Sequence, residues 1–126
     1  LEVFIPESLT LTVSLRGTRE VKDNYQLFRL AGLMDAFSEP TFRKTFNKHV
    51  EEGPANVILD LSQVDFIDSS GLGALVQLLK KVQSSGGKLQ IVPSPRVTQS
   101  AKIARLDQFL PFQSSLDVAE ENIKKS

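Results

Sequence analysis

The sequence contains no cysteine. A disulfide scaffold and a thiolate metal site are therefore excluded, and the lack fits a reducing cytosol. Net charge is missing too: 15 Lys and Arg balance 15 Asp and Glu. That balance does not favour nucleic acid, which usually demands a basic face. Even the tail is mixed, with Lys124-Lys125 following Glu120-Glu121. No apolar run approaches the roughly 18 residues needed to cross a bilayer, so no membrane partner is expected. No signal-peptide pattern precedes the first strand. Histidine occurs once, as His49. With no second histidine and no cysteine, a His-based triad or a typical zinc site has little material.

What remains is ordinary globular material. A chain of 126 residues, 40% hydrophobic and 24% charged, suits one domain built on one core. The whole chain, 1–126, is read as a single domain, with residues 1–8 a flexible or trimmed start. Leu9, Leu11, Val13 and Leu15 alternate with polar residues, and a period of two predicts one strand with one buried face. The polar stretch from Gly17 to Asn24 reads as a turn. A second strand follows over Tyr25–Ala31, and Gly32-Leu33-Met34-Asp35 breaks it.

A helix is predicted over Pro40–Glu52, with Pro40 at its first position and Ser38 as its cap. Phe42, Phe46, His49 and Val50 fall on one face of it. The apolar run Val57–Leu61 predicts a central strand covered on both sides. Ser62–Ser70 reads as a connection, and Gly71–Ser84 as a second helix whose Leu72, Leu75, Val76, Leu79 and Val82 keep the 3.6 period. Leu89–Val92 is a short strand and Arg96–Arg105 a helix. Phe109–Phe112 is an edge strand, because Pro111 cannot donate to a ladder. A last helix spans Ser115–Lys124. The fold class is α/β: a mixed sheet with a leading hairpin and about four helices.

The densest local pattern is Asp68-Ser69-Ser70-Gly71-Leu72-Gly73. It stands between the central strand and the second helix, at a strand's carboxyl end, where open α/β sheets usually bind ligands. Asp68, Ser69 and Ser70 precede the helix, so their oxygens are placed to accept its first N–H groups. On position alone Ser70 is a helix cap. Gly71, Gly73 and Ala74 leave the first turn nearly bare, open to close approach. The pattern lacks the Lys-Ser/Thr pair of a P-loop, and Val76 stands where a dinucleotide loop has its third glycine. It is no nucleophile elbow, for no Gly-x precedes the serine. Asp60, Asp65 and Asp68 have the chemistry to hold Mg²⁺, yet capping and turn formation are their more ordinary roles. No cofactor and no catalytic residue are assigned.

Together, Val57-Ile58-Leu59-Asp60-Leu61 and Val64-Asp65-Phe66-Ile67-Asp68-Ser69-Ser70-Gly71-Leu72-Gly73 resemble the signature of bacterial anti-anti-sigma factors of the STAS family. Gly32-Leu33-Met34-Asp35 sits where that family often has Gly-Glu-Leu-Asp. Gly86-Gly87-Lys88-Leu89-Gln90-Ile91-Val92 resembles its glycine turn and next strand, and Pro95-Arg96-Val97 the start of its third helix. The resemblance covers roughly Leu9 to Glu121. This sequence departs from the pattern at Leu33-Met34, at Ser100-Ala101, where a bulky apolar pair is common, and at Arg105, where glycine is frequent.

The resemblance implies a cytoplasmic kinase substrate rather than an enzyme. It implies phosphorylation of Ser70 by an anti-sigma factor serine kinase. The unphosphorylated form would bind that kinase and release a sigma factor, and a PP2C-type serine phosphatase would reset the switch. The implied contact residues are Asp35, Asp68, Ser69, Ser70, Gly71, Leu72 and Gly73. A second reading is a STAS scaffold without the switch, as occurs in stress-sensing, anion-transport and lipid-transport assemblies.

Overall fold

Alternation of buried side chains along three strands sets the architecture. On the third strand Phe28 and Leu30 face one way, Tyr25 and Leu27 the other; on the fourth, Val57, Leu59 and Leu61 oppose Ile58. Both faces of these strands are apolar, as a sheet covered on both sides requires. The computed structural model describes residues 5–125. Its strands are β1 (Glu7–Thr10), β2 (Leu15–Val21), β3 (Tyr25–Met34), β4 (Asn56–Ile67) and β5 (Leu89–Pro93). They form one sheet in the order β1-β2-β3-β4-β5. The first two pairings are antiparallel and the last two parallel. The helices are α1 (Glu39–Glu52), α2 (Ser69–Ser84), α3 (Pro95–Ile103) and α4 (Leu116–Lys124).

The large core joins β3, β4 and β5 to Phe42, Phe46 and Val50 of α1 and to Leu72, Leu75, Leu78, Leu79 and Val82 of α2. A smaller cluster on the opposite face packs Ala119 and Ile123 of α4 over Tyr25, Leu27, Ile58 and Val92. The Tyr25 hydroxyl donates to Glu120 across it. Burial, then the bond to Glu120 and its charge, raises the pKa of that phenol. α3 begins on Ser94, a buried residue whose Oγ accepts from Val97 N at 3.2 Å and donates to the Val64 carbonyl at 2.8 Å. One hydroxyl thus caps the helix and fastens it to β4.

Several boundaries differ from the sequence reading. The alternating stretch from Leu9 to Arg16 is not one strand but the end of β1, a tight turn and the start of β2. Thr12 makes the turn, its Oγ1 accepting from Ser14 N and Leu15 N. Val13 projects into solvent. The stretch read as a turn from Gly17 contains most of β2. β3 continues through Gly32, which sits at φ 115° where two register shifts accommodate it. A side chain there would meet the Ser14 carbonyl oxygen at 2.0 Å. β4 runs on through Ser62–Ile67, the segment read as a connection. Phe109–Phe112 forms no strand; only Phe112 bridges to Ile91. Of the start, 1–8, Leu1–Phe4 lie outside the described residues, while Glu7 and Ser8 pair with Arg19 and Thr18. Glu39 precedes Pro40 in α1, which places the proline second.

Two details give stability tests. His49 lies half-buried with its ring 5.7 Å from that of Phe28, and its Nδ1 is buried without a hydrogen-bond partner. Burial, helped by Arg19 and Lys48 and opposed by Glu7 and Glu52, lowers its pKa from the usual 6.5. The unfolded chain therefore binds this proton more readily, and stability is lost as pH falls below about 6.5. Urea midpoints at pH 7.5 and 5.5 should drop more in the wild type than in His49→Phe; equal drops would remove His49 from the account. Arg105, just after α3, holds φ 60°, a conformation that costs a residue with a Cβ roughly 1 kcal/mol. Arg105→Gly should raise unfolding stability by about 0.5–1 kcal/mol, read by chemical denaturation, and a loss would refute the strain.

Candidate functional site

Parallel pairing brings the carboxyl ends of β3 and β4 together, with Met34 beside Ile67. Each strand then turns into a helix, so the amino ends of α1 and α2 become neighbours. Asp68 ties the two turns. Its backbone N–H donates to the Met34 carbonyl at 3.1 Å. Its Oδ1 accepts from Gly71 N at 3.0 Å, capping α2, and its Oδ2 accepts from Ala36 N at 3.1 Å. A carboxylate offers several lone pairs, so one side chain serves both loops.

The α1 side closes on itself. Asp35 Oδ1 accepts from Ser38 N at 3.0 Å, and Ser38 Oγ accepts from Asp35 N at 3.0 Å. The Ser38 hydroxyl also reaches the Leu33 and Asp35 carbonyls, each at 3.2 Å. Ser38 holds the N-cap position of α1, as the sequence predicts, but its side chain makes no capping hydrogen bond. Its hydroxyl is committed to the turn behind it.

The two serines of the motif are separated in role. α2 begins at Ser69, so neither serine caps it; Asp68 alone does. Ser69 is exposed and Ser70 half-buried. Among the described residues none hydrogen-bonds the Ser70 hydroxyl. Ser70 lines a shallow cleft of about 240 Å³ with Glu39, Arg43, Gly73, Ala74 and Gln77. The cleft lies where α1 packs on α2.

The glycines also differ. A Cβ on Gly71 would stand 2.4 Å from the Met34 carbonyl oxygen and 2.7 Å from Ile67. Gly71 thus lets the first turn of α2 seat against the strand ends. At Gly73 a Cβ would meet nothing within 4 Å, so no packing inside the domain demands a glycine there. Of the residues expected at a partner face, Gly71 and Leu72 are buried and shape the loop from beneath. Ser69 and Gly73 are exposed, and Asp35, Asp68 and Ser70 are half-buried.

The sequence reading missed Phe37. It is 73% exposed, one residue beyond the Ala36 amide that Asp68 holds. Its only signal was an aromatic residue inside a polar turn. Phe66 is also exposed, while Ile67 beside it is buried. The three aspartates do not gather. Both carboxylate oxygens of Asp68 are engaged, and Asp60 Oδ1 accepts from Ser62 N at 3.0 Å. Among the described residues no group of three acidic, histidine or cysteine side chains is placed to hold a metal ion. Nor is any helix among them long and apolar enough to cross a membrane.

Comparison with known proteins gives a consistent picture. The model of the STAS domain family matches residues 18–119. A protein of Thermotoga maritima that carries the provisional name anti-sigma factor antagonist is 31% identical over 86 residues, 67% of this chain and 76% of its own length. The crystal structure of an anti-sigma factor antagonist from Mycobacterium paratuberculosis superposes with a TM-score of 0.78 at 24% identity, covering 88% of this chain and 95% of that one. The Bacillus cell fate determinant SpoIIAA, in its phosphorylated form, superposes with a TM-score of 0.61 at 16% identity, covering 94% and 98%. These two structures share the fold.

The glycine geometry separates scaffold from surface. Gly71→Ala drives a Cβ into backbone, so it should destabilise by about 1–3 kcal/mol. Gly73→Ala replaces an exposed helical glycine and should stabilise by about 0.5–1 kcal/mol. Thermal or urea unfolding of both variants reads the contrast; equal effects would contradict it.

Proposed function

We propose that this chain, which belongs to the STAS domain family, is an anti-sigma factor antagonist switched by phosphorylation of Ser70. In its unmodified form it binds an anti-sigma factor serine kinase and so releases a sigma factor. The kinase moves the γ-phosphoryl group of ATP onto Ser70 Oγ; ADP leaves and the hydroxyl proton passes to the kinase or solvent. A PP2C-type phosphatase hydrolyses the ester and restores the binding form. The domain is a substrate and a binding module, and its place is the cytoplasm.

One observation carries this reading. Asp68 does the capping of α2, and among the described residues nothing hydrogen-bonds the Ser70 hydroxyl at the helix's first turn. Around it lie surfaces suited to a partner: the exposed Phe37, the exposed Ser69 and the bare Gly73. Gly73 supports the same reading, since its missing side chain serves no contact within the domain. Asp35 closes its own loop and Asp68 ties that loop to the start of α2, as a rigid partner surface needs.

Charge explains the switch. A phosphoserine adds roughly −1.5 to −2 charges in a region that already contains Asp68 and Glu39. Burying the added charge of a dianion at an interface costs several kcal/mol unless the partner offsets it. A loss of about 3 kcal/mol is roughly a hundredfold in affinity.

Incubating the domain with its kinase and ATP should label wild type and leave Ser70→Ala unlabelled, as read by intact mass. Label persisting on the alanine variant would move the acceptor elsewhere. Ser70→Glu should weaken kinase binding by about tenfold to a hundredfold, 1.4 kcal/mol being one factor of ten. Unchanged affinity in calorimetry would refute the electrostatic account.

A further inference from the structure

Ser70 and Arg43 line the same cleft, one from α2 and the other from α1. Arg43 Nε donates to Glu39 Oε2 at 2.9 Å, an i,i+4 pair on the surface of α1. Its side chain is 55% exposed. A guanidinium has five N–H donors in a planar fork, and this bond uses one. Exposed pairs of this kind are weak, so Arg43 is loosely held. A water takes up roughly 30 Å³, so a cleft of about 240 Å³ has room for a phosphoryl group.

We propose that Arg43 is the internal counter-ion of phosphorylated Ser70. It releases Glu39 and forks onto the phosphoryl oxygens. The inference rests on phosphorylation at Ser70, and it deepens that reading by naming the residue that receives the new charge. Two effects favour the exchange. The phosphoryl group carries up to two charges against the single charge of Glu39, and it accepts bidentate hydrogen bonds from arginine. Glu39, which lines the cleft, and Asp68, two residues before Ser70, oppose the charge; among the described residues Arg43 is the one basic residue lining the cleft. The exchange does not erase negative charge from the face. It moves part of it one turn along α1, to the carboxylate of Glu39 left without its arginine. Arg43 is thus a positioning residue: it draws the phosphoryl group toward α1 while its former partner faces solvent.

The test uses the full chain with phosphoserine incorporated at position 70 during synthesis and verified by intact mass. Phosphorus NMR then follows the second ionisation of the phosphoryl group, near pH 6 in a free phosphoserine. In wild type this ionisation should lie about half a unit or more below that of Arg43→Gln, because a nearby cation favours the dianion. Arg43→Lys keeps the charge and should recover part of the shift. Coincident curves for wild type and Arg43→Gln would overturn the proposal, as would a lysine variant that titrates like glutamine. The unmodified Arg43→Gln protein should melt with wild type, so a shift seen only in the phosphoprotein cannot come from general damage; a large loss of stability without phosphate would count against the proposal. Because the phosphoserine is installed without a kinase, the titration reads Arg43 even if the kinase ignores Ser70. The labelling assay reads Ser70 even if the curves coincide.

Discussion

The two loops at the carboxyl ends of β3 and β4 are held together by one carboxylate serving both. Asp68 caps α2 through Gly71 and holds the Ala36 amide of the loop before α1. The parallel pairing of β3 and β4 brings those loops within reach, and the bare Gly71 lets them close without collision. Local and long-range structure meet in a single side chain. A capping interaction is worth about 1 kcal/mol in isolation; here the same group also fixes the relation between two helices. Because that work falls to Asp68, the serines after it are released from structural duty.

The division of labour continues along the motif. Gly71 and Leu72 are committed to the interior, while Ser69 and Gly73 are turned outward. Ser70 lies between these conditions, half-buried against α1, and among the described residues nothing hydrogen-bonds its hydroxyl. A residue so placed accepts a new group without costing the fold an interaction. Glu39 and Arg43 of α1 line the same cleft.

Much of this was legible in the sequence. The run Val57–Leu61 announced a doubly covered strand, and the 3.6 period of Leu72, Leu75, Leu79 and Val82 announced α2. The Asp-Ser-Ser-Gly-Leu-Gly string marked where the two meet, and its resemblance to the STAS family agrees with the family match over residues 18–119. The hairpin boundaries were not legible, because a period of two runs straight across a tight turn. Only the Thr12 hydroxyl reveals that turn, through bonds to backbone beyond it. Polar residues hid the second half of β4. The roles of the two serines were hidden because capping depends on where the helix begins, a boundary that pattern fixes only within a residue or two. Neither the exposure of Phe37 nor the closeness of Arg43 to Ser70 has a local signature. Both arise from how α1 lies beside α2.

The faces of the sheet are sealed by unequal means. α1 and α2 share one large cluster with β3, β4 and β5. The other cluster is closed by the nine-residue α4 through Ala119, Ile123 and Leu116, aided by the bond from Tyr25 to Glu120. Neither bond of the Asp68 carboxylate involves that helix. The tie between the two loops thus stands apart from the helix that closes the smaller cluster, on the other side of one sheet.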